Sequence, residues 1–82
     1  MTVVNTMHLT ITRINEPLFD GEAISVIVPG SDGVLTVLSH HEPFISILKS
    51  GKIRVKTTAE VKEFEIENGI LEVSNNQATI LL

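Results

Sequence analysis

Apolar side chains in this chain recur mainly at every second residue, the period of an extended strand with one face buried. In Met7–Ile14, Met7, Leu9 and Ile11 alternate with His8, Thr10 and Thr12, which predicts a half-buried strand. Pro17-Leu18-Phe19 is a short apolar piece, and the turn dipeptide Asp20-Gly21 is expected to close it. Ala23–Val28 is β-branched and nearly continuous in apolar character, as in a well-covered strand, with Pro29-Gly30-Ser31-Asp32-Gly33 to end it. From Val34 to Ser39 the spacing of Val34, Leu35, Val37 and Leu38 suits a helix face as well as a strand. Pro43 would stop such a helix and Val and Thr favour extended backbone, so Val34–Ser39 is read as a strand. Phe44–Leu48 is a further strand ending near Ser50-Gly51.

The alternation is cleanest over Gly51–Glu67. Ile53, Val55 and Thr57 alternate with Lys52, Arg54 and Lys56, and further on Phe64 and Ile66 alternate with Glu63, Glu65 and Glu67. A hairpin closing near Ala59-Glu60 would set Ile53 against Ile66 and Val55 against Phe64, all four buried. The same register sets Lys52, Arg54 and Lys56 opposite Glu67, Glu65 and Glu63. Each such pair contributes only roughly 0.2–1 kcal/mol, but together they oppose a one-residue slip. Asn68-Gly69 reads as a turn, Ile70–Ser74 as a strand, Asn75-Asn76 as a tight turn tolerant of positive φ, and Ala78–Leu82 as the last strand. Many short strands at regular spacing predict an all-β fold, a two-sheet β-sandwich of short antiparallel strands. Residues 1–6 read as a flexible N-terminal extension and 7–82 as one domain.

Composition narrows the possible functions. A chain of 82 residues with 43% hydrophobic content supports one folded domain. Cysteine is absent, which removes disulfides, thiolate zinc sites and thiol nucleophiles together. No signal peptide is visible in Met1–Met7, and no apolar run approaches the roughly 20 residues of a membrane-spanning helix. Five of the six basic residues fall between Lys49 and Lys62, and the hairpin register pairs three of them, Lys52, Arg54 and Lys56, with glutamates. With a net charge of −4 and neither Trp nor Tyr, nucleic-acid binding has no support.

The chain also lacks the usual catalytic constellations. His40-His41-Glu42 is the one cluster resembling a metal or acid–base site, yet neighbours on an extended strand point to opposite faces, and His8 is the only other histidine. A small metal-dependent enzyme would rest on that cluster alone. Gly30-Ser31-Asp32-Gly33 lacks the Lys-Ser/Thr ending of a phosphate loop and opens no helix. No cofactor, metal or catalytic residue is assigned.

Taken in order, several stretches resemble the N-terminal domain of ATP synthase ε subunits (the mitochondrial δ subunit). They are His8-Leu9, Phe19-Asp20-Gly21, Pro29-Gly30-Ser31-Asp32-Gly33, Leu35-Thr36-Val37-Leu38, His41-Glu42-Pro43, Leu48, Gly51-Lys52-Ile53-Arg54-Val55, Phe64, Gly69-Ile70-Leu71-Glu72-Val73 and Thr79-Ile80-Leu81. The resemblance covers about residues 7–82. It implies a non-catalytic rotor subunit at the foot of the central stalk, on the cytoplasmic face of the cell membrane. Such a subunit couples the γ subunit to the ring of c subunits and touches the membrane only through the complex. By position, Asp32, Gly33 and Val34 together with His41, Glu42 and Pro43 match the ring-facing end, and Arg13, Ile45, Ser46 and Ile47 match a segment near γ. The sequence departs from the family at Thr36, where members usually carry Gly, at Ser39-His40, usually Pro-Gly, and at Asn68, usually Gly. Val34 replaces an acidic residue of some members. The family's C-terminal helical hairpin, associated with inhibition of ATP hydrolysis and in some members with ATP binding, is not among these 82 residues, so this stretch is expected to couple without inhibiting. The alternative reading is a free-standing β-sandwich that binds a ligand or peptide.

Overall fold

A computed structural model describes residues 4–82, and within them the chain forms nine strands and no helix. These are β1 (Met7–Arg13), β2 (Glu16–Ala23), β3 (Ser25–Gly30), β4 (Gly33–Leu38), β5 (Phe44–Leu48), β6 (Gly51–Lys56), β7 (Val61–Ile66), β8 (Gly69–Ser74) and β9 (Gln77–Leu81). Hydrogen bonds join them in the order β2-β1-β9-β8-β5-β3-β6-β7, with β4 on the other side of β3. The link between β5 and β3 is a single ladder position, Gly30 against Leu48, flanked by Ser31 N–H to Ile47 O and Lys49 N–H to Pro29 O. That narrow corner lets the sheet fold over on itself, so β2-β1-β9-β8-β5 and β4-β3-β6-β7 act as the two layers of a sandwich.

Alternation puts one row of each layer into a common core. Met7, Leu9, Ile11, Leu48, Leu71, Val73, Ala78 and Ile80 enter it from the first layer, and Val26, Val28, Val37, Ile53, Val55 and Ile66 from the second. No charged or polar side chain is buried among the described residues, so apolar burial and the backbone ladders hold the fold. Asn75 and Asn76 take φ of 52° and 57°, the pair of positive values a two-residue hairpin between β8 and β9 requires.

Four expectations are corrected. Asp20-Gly21 is not a turn: β2 runs through it, with Asp20 opposite Thr10 and Gly21 opposite Leu9. Long-range pairing with β1 overrides the local dipeptide preference, and the reversal lies instead at Ile14-Asn15, where Asn15 takes φ of 59°. Ala23–Val28 is broken at Ile24, where the chain passes from the first layer to the second, and Pro29 and Gly30 belong to β3. One pairing is parallel, β1 with β9; their connection is nearly the whole chain, so no crossover constraint applies. The β6–β7 hairpin sits two residues from the expected register, with Ile53 opposite Phe64, Arg54 opposite Glu63 and Lys52 opposite Glu65. Thr57 sets this closure: its backbone N–H and hydroxyl both bond Glu60 O, and its Oγ1 accepts from the N–H groups of Ala59 and Glu60. The turn therefore centres on Thr58-Ala59. Because the slip is by two, Ile53, Val55 and Ile66 remain buried, while Phe64 is only half-buried. None of the expected charge pairs forms among the described residues; the shifted register instead brings Arg54 Nε within 3.9 Å of Glu63 Oε2.

The stretch 1–6 falls partly outside the described residues, which begin at residue 4. Thr6 is tied down at both ends, its carbonyl accepting from Asn76 Nδ2 at 2.9 Å and its hydroxyl donating to Glu22 Oε1 at 3.3 Å.

Candidate interaction surface

The residues that chemistry could use are all on the outside. His40 and His41 do not converge: the backbone N–H of His40, in a positive-φ turn, donates to Asn76 Oδ1 at 2.7 Å, and the His41 ring packs against Phe44 with centroids 4.8 Å apart. Among the described residues no group of three His, Asp or Glu side chains could share a metal ion. His8 touches two carboxylates, Asp20 Oδ1 at 2.6 Å from Nε2 and Glu22 Oε2 at 3.5 Å from Nδ1. The contacts use opposite ring nitrogens, so they clip β1 to β2 and do not form a chelate.

What stands out is an apolar outer face on the first layer. Ile47 pairs with Ile70, Ile70 with Leu81, and Leu81 with Thr12, a continuous row across β5, β8, β9 and β1. Ile45, opposite Glu72, extends it along β5. Solvent reaches 70% of Ile45, 65% of Ile47, 46% of Ile70 and 49% of Leu81. Isolated exposed hydrophobes need no explanation, but three in register with a fourth beside them set this sheet face apart from an ordinary solvated one.

The structure brings together only some of the expected site residues. Ile45 and Ile47 lie in the patch. Ser46 lies on the inward-facing row of β5, half-buried, its hydroxyl bonding Ile47 O at 3.4 Å. Arg13, which follows Thr12 at the end of β1, lines an open cleft of about 740 Å³ with Lys52, Glu65 and Glu67. The other expected surface is divided. Asp32 occupies the β3–β4 turn and Val34 begins the outer row of β4, whereas His41-Glu42-Pro43 follow the far end of that strand. Five steps of roughly 3.3 Å separate the two ends of β4. Gly33 has φ of 134° with open space where a Cβ would stand, so backbone conformation alone explains glycine there. Ile70 and Leu81 were missed as surface residues. Their signal was an apolar residue out of phase with the buried rows Leu71-Val73 and Ala78-Ile80.

Comparison with known proteins adds a family. The profile of the ATP synthase, Delta/Epsilon chain, beta-sandwich domain matches residues 6–82. The ATP synthase epsilon chain of Chlorobium limicola is 40% identical over 74 residues, which span 89% of this chain and 84% of that one. In fold, the chain is similar to one in the mitochondrial ATP synthase structure of Euglena gracilis (OSCP/F1/c-ring), with a TM-score of 0.88 and 21% identity over 99% of this chain and 52% of that one. It is also similar to one in the central stalk and c-ring structure of Tetrahymena thermophila, with a TM-score of 0.82 and 17% identity, covering 98% of this chain and 65% of that one.

Proposed function

Because the chain belongs to the ATP synthase delta/epsilon-chain β-sandwich family, we propose that it is a non-catalytic subunit of the central stalk. It fastens γ to the c-ring of a proton-translocating enzyme, so that torque passes between ion flow and the catalytic sites. The observation that carries this reading is the in-register apolar row Ile47-Ile70-Leu81 with Ile45 beside it, which would be covered by γ. A subunit that transmits torque needs a rigid body and a dry, well-packed contact, and a sandwich whose described residues bury only apolar side chains supplies the first.

The ring contact falls to the β3–β4 turn, Asp32-Gly33-Val34. His41-Glu42-Pro43, at the other end of β4, point to a different neighbour or to solvent. Contact with the membrane comes only through the complex, on its cytoplasmic face. This chain has no active site of its own and binds no nucleotide tightly.

Co-expression with γ tests the reading. A stable binary complex is expected, and replacing Ile45 and Ile47 together by Asp should abolish it without unfolding the sandwich. A complex that survives the double replacement would move the γ contact elsewhere. Micromolar nucleotide binding by the 82-residue chain, measured by calorimetry, would contradict the non-catalytic reading.

A further inference from the structure

Four strands lie at the margins of the two layers; β5 is tied across the corner to β3 at Leu48, and the other three are protected very differently. A sheet edge carries unpaired N–H and C=O groups, and proteins usually blunt it with charge or proline. β2, at one end of the strand order, carries Glu16, Pro17, Asp20 and Glu22, and β7, at the other, carries Lys62, Glu63 and Glu65. β4, Gly33-Val34-Leu35-Thr36-Val37-Leu38, has neither charge nor proline, and among the described residues it pairs only with β3.

The hydrogen-bonding geometry identifies which groups are free. Ser31 N–H and Pro29 O point from β3 towards β5, so the intervening Gly30 turns its own groups to β4. Alternation along an antiparallel pair then commits Gly33, Leu35 and Val37 to β3 and leaves the N–H and C=O of Val34, Thr36 and Leu38 on the open edge. The side chains of these same three residues form the outer row, with Val34 at 72% and Leu38 at 55% exposure and Thr36 exposed between them.

We propose that this edge pairs with β4 of a second copy, antiparallel about a two-fold axis through Thr36. The strand is complementary to itself. A two-fold normal to the sheet keeps inner rows with inner rows, so it sets Val34 opposite Leu38 of the second copy and Thr36 opposite Thr36 of the second copy. All the free edge groups are then satisfied, two apolar pairs and a Thr–Thr pair form on the outer face, and no like charges meet. A partner of different sequence would gain the same backbone bonds, but the uncharged symmetric outer row Val-Thr-Leu is what favours the second copy. One six-residue strand buries less than a standard interface, so the dimer is reversible and belongs to the free subunit. If the proposed ring contact through Val34 holds, pairing of β4 and docking to the ring exclude each other; the dimer itself does not depend on that reading.

The test is sedimentation equilibrium of the free chain between about 0.01 and 1 mM, with amide hydrogen exchange read residue by residue. The expected result is a monomer–dimer equilibrium in which the amides of Val34, Thr36 and Leu38 slow as concentration rises. Thr36→Lys puts two ammonium groups face to face and should weaken dimerisation about tenfold or more. Thr58→Lys, with the same charge change in the β6–β7 turn, should leave it unaltered. Thr36→Pro, tolerable in the monomer because that N–H faces outward, should also abolish pairing. The proposal is overturned if the chain stays monomeric throughout, if both lysine variants weaken association equally, or if those three amides slow only when γ is added.

Discussion

The outer faces of the β6–β7 hairpin, in one layer, and of β5, β8 and β9, in the other, are built on the same alternation and carry different chemistry. On β6 and β7 the outward row is Lys52, Arg54 and Lys56 against Glu65, Glu63 and Val61; on β5, β8 and β9 it is mainly apolar, with Ile45, Ile47, Ile70 and Leu81 beside Glu72 and Thr79. Inside, the two layers cannot be told apart in kind, since the side chains that each buries in the common core are apolar. Folding dictates the inner row, because an apolar row must be buried for so small a domain to be stable. It leaves the outer row free. Charge there is the default of a solvated surface, so a departure from charge reports what lies against the face.

The largest effect should be the same under both faces. Ile53→Ala beneath the charged layer and Leu71→Ala beneath the apolar one each empty a fully buried site and should cost about 2–5 kcal/mol in urea unfolding. A difference of more than about 2 kcal/mol between them, near the spread of comparable core deletions, would show that the layers are not equivalent inside.

Outside, the faces should separate. Ile47→Asp should lower affinity for γ by about 2 kcal/mol or more, roughly 30-fold, with stability changed by about 0.5 kcal/mol or less. Arg54→Glu on the other face should change affinity little. Equal losses from the two variants in calorimetric titration would erase the distinction between the faces.

The turns that join the strands offer a finer contrast. In the β8–β9 hairpin, Asn76 combines a positive φ with two side-chain bonds, to His40 N–H and Thr6 O. Asn76→Ala should cost about 1–3 kcal/mol. In the β6–β7 hairpin, Thr57→Ala removes only exposed hydroxyl bonds and should cost about 0.5–1.5 kcal/mol. Thermal unfolding in which Thr57→Ala is the more damaging would reverse that order. The smallest effect is the Arg54–Glu63 pair. Both side chains are more than half exposed and 3.9 Å apart, so a double-mutant cycle should give only about 0.2–1 kcal/mol, decreasing with salt.

Much of the fold was legible because burial leaves a period in the sequence. Met7-Leu9-Ile11, Ile53-Val55 and Ile66 all face the core as their alternation predicts. Less of the interaction surface was legible. Ile45 and Ile47 came from family resemblance, and alternation then showed that Ser46 between them lies on the inward-facing row. Ile70 and Leu81 are ten residues apart in sequence and become neighbours only through the β8–β9 register.

By itself, then, the sequence determined which side of the first strand and of Ile53-Val55 is buried, that the chain is all-β, and that Asn75-Asn76 makes a tight turn. Those features depend on neighbours in the chain and on the chemistry of single residues. Only the tertiary structure decided that β2 runs through Asp20-Gly21, that β1 lies parallel to β9, and that the β6–β7 register is two residues from the one charge pairing suggested. It also divided Asp32 from His41 and left β4 with an open edge. Each of these depends on which strands meet across the fold. A period of two is unchanged by a slip of two or by a reversal of strand direction, so alternation alone could not choose among them.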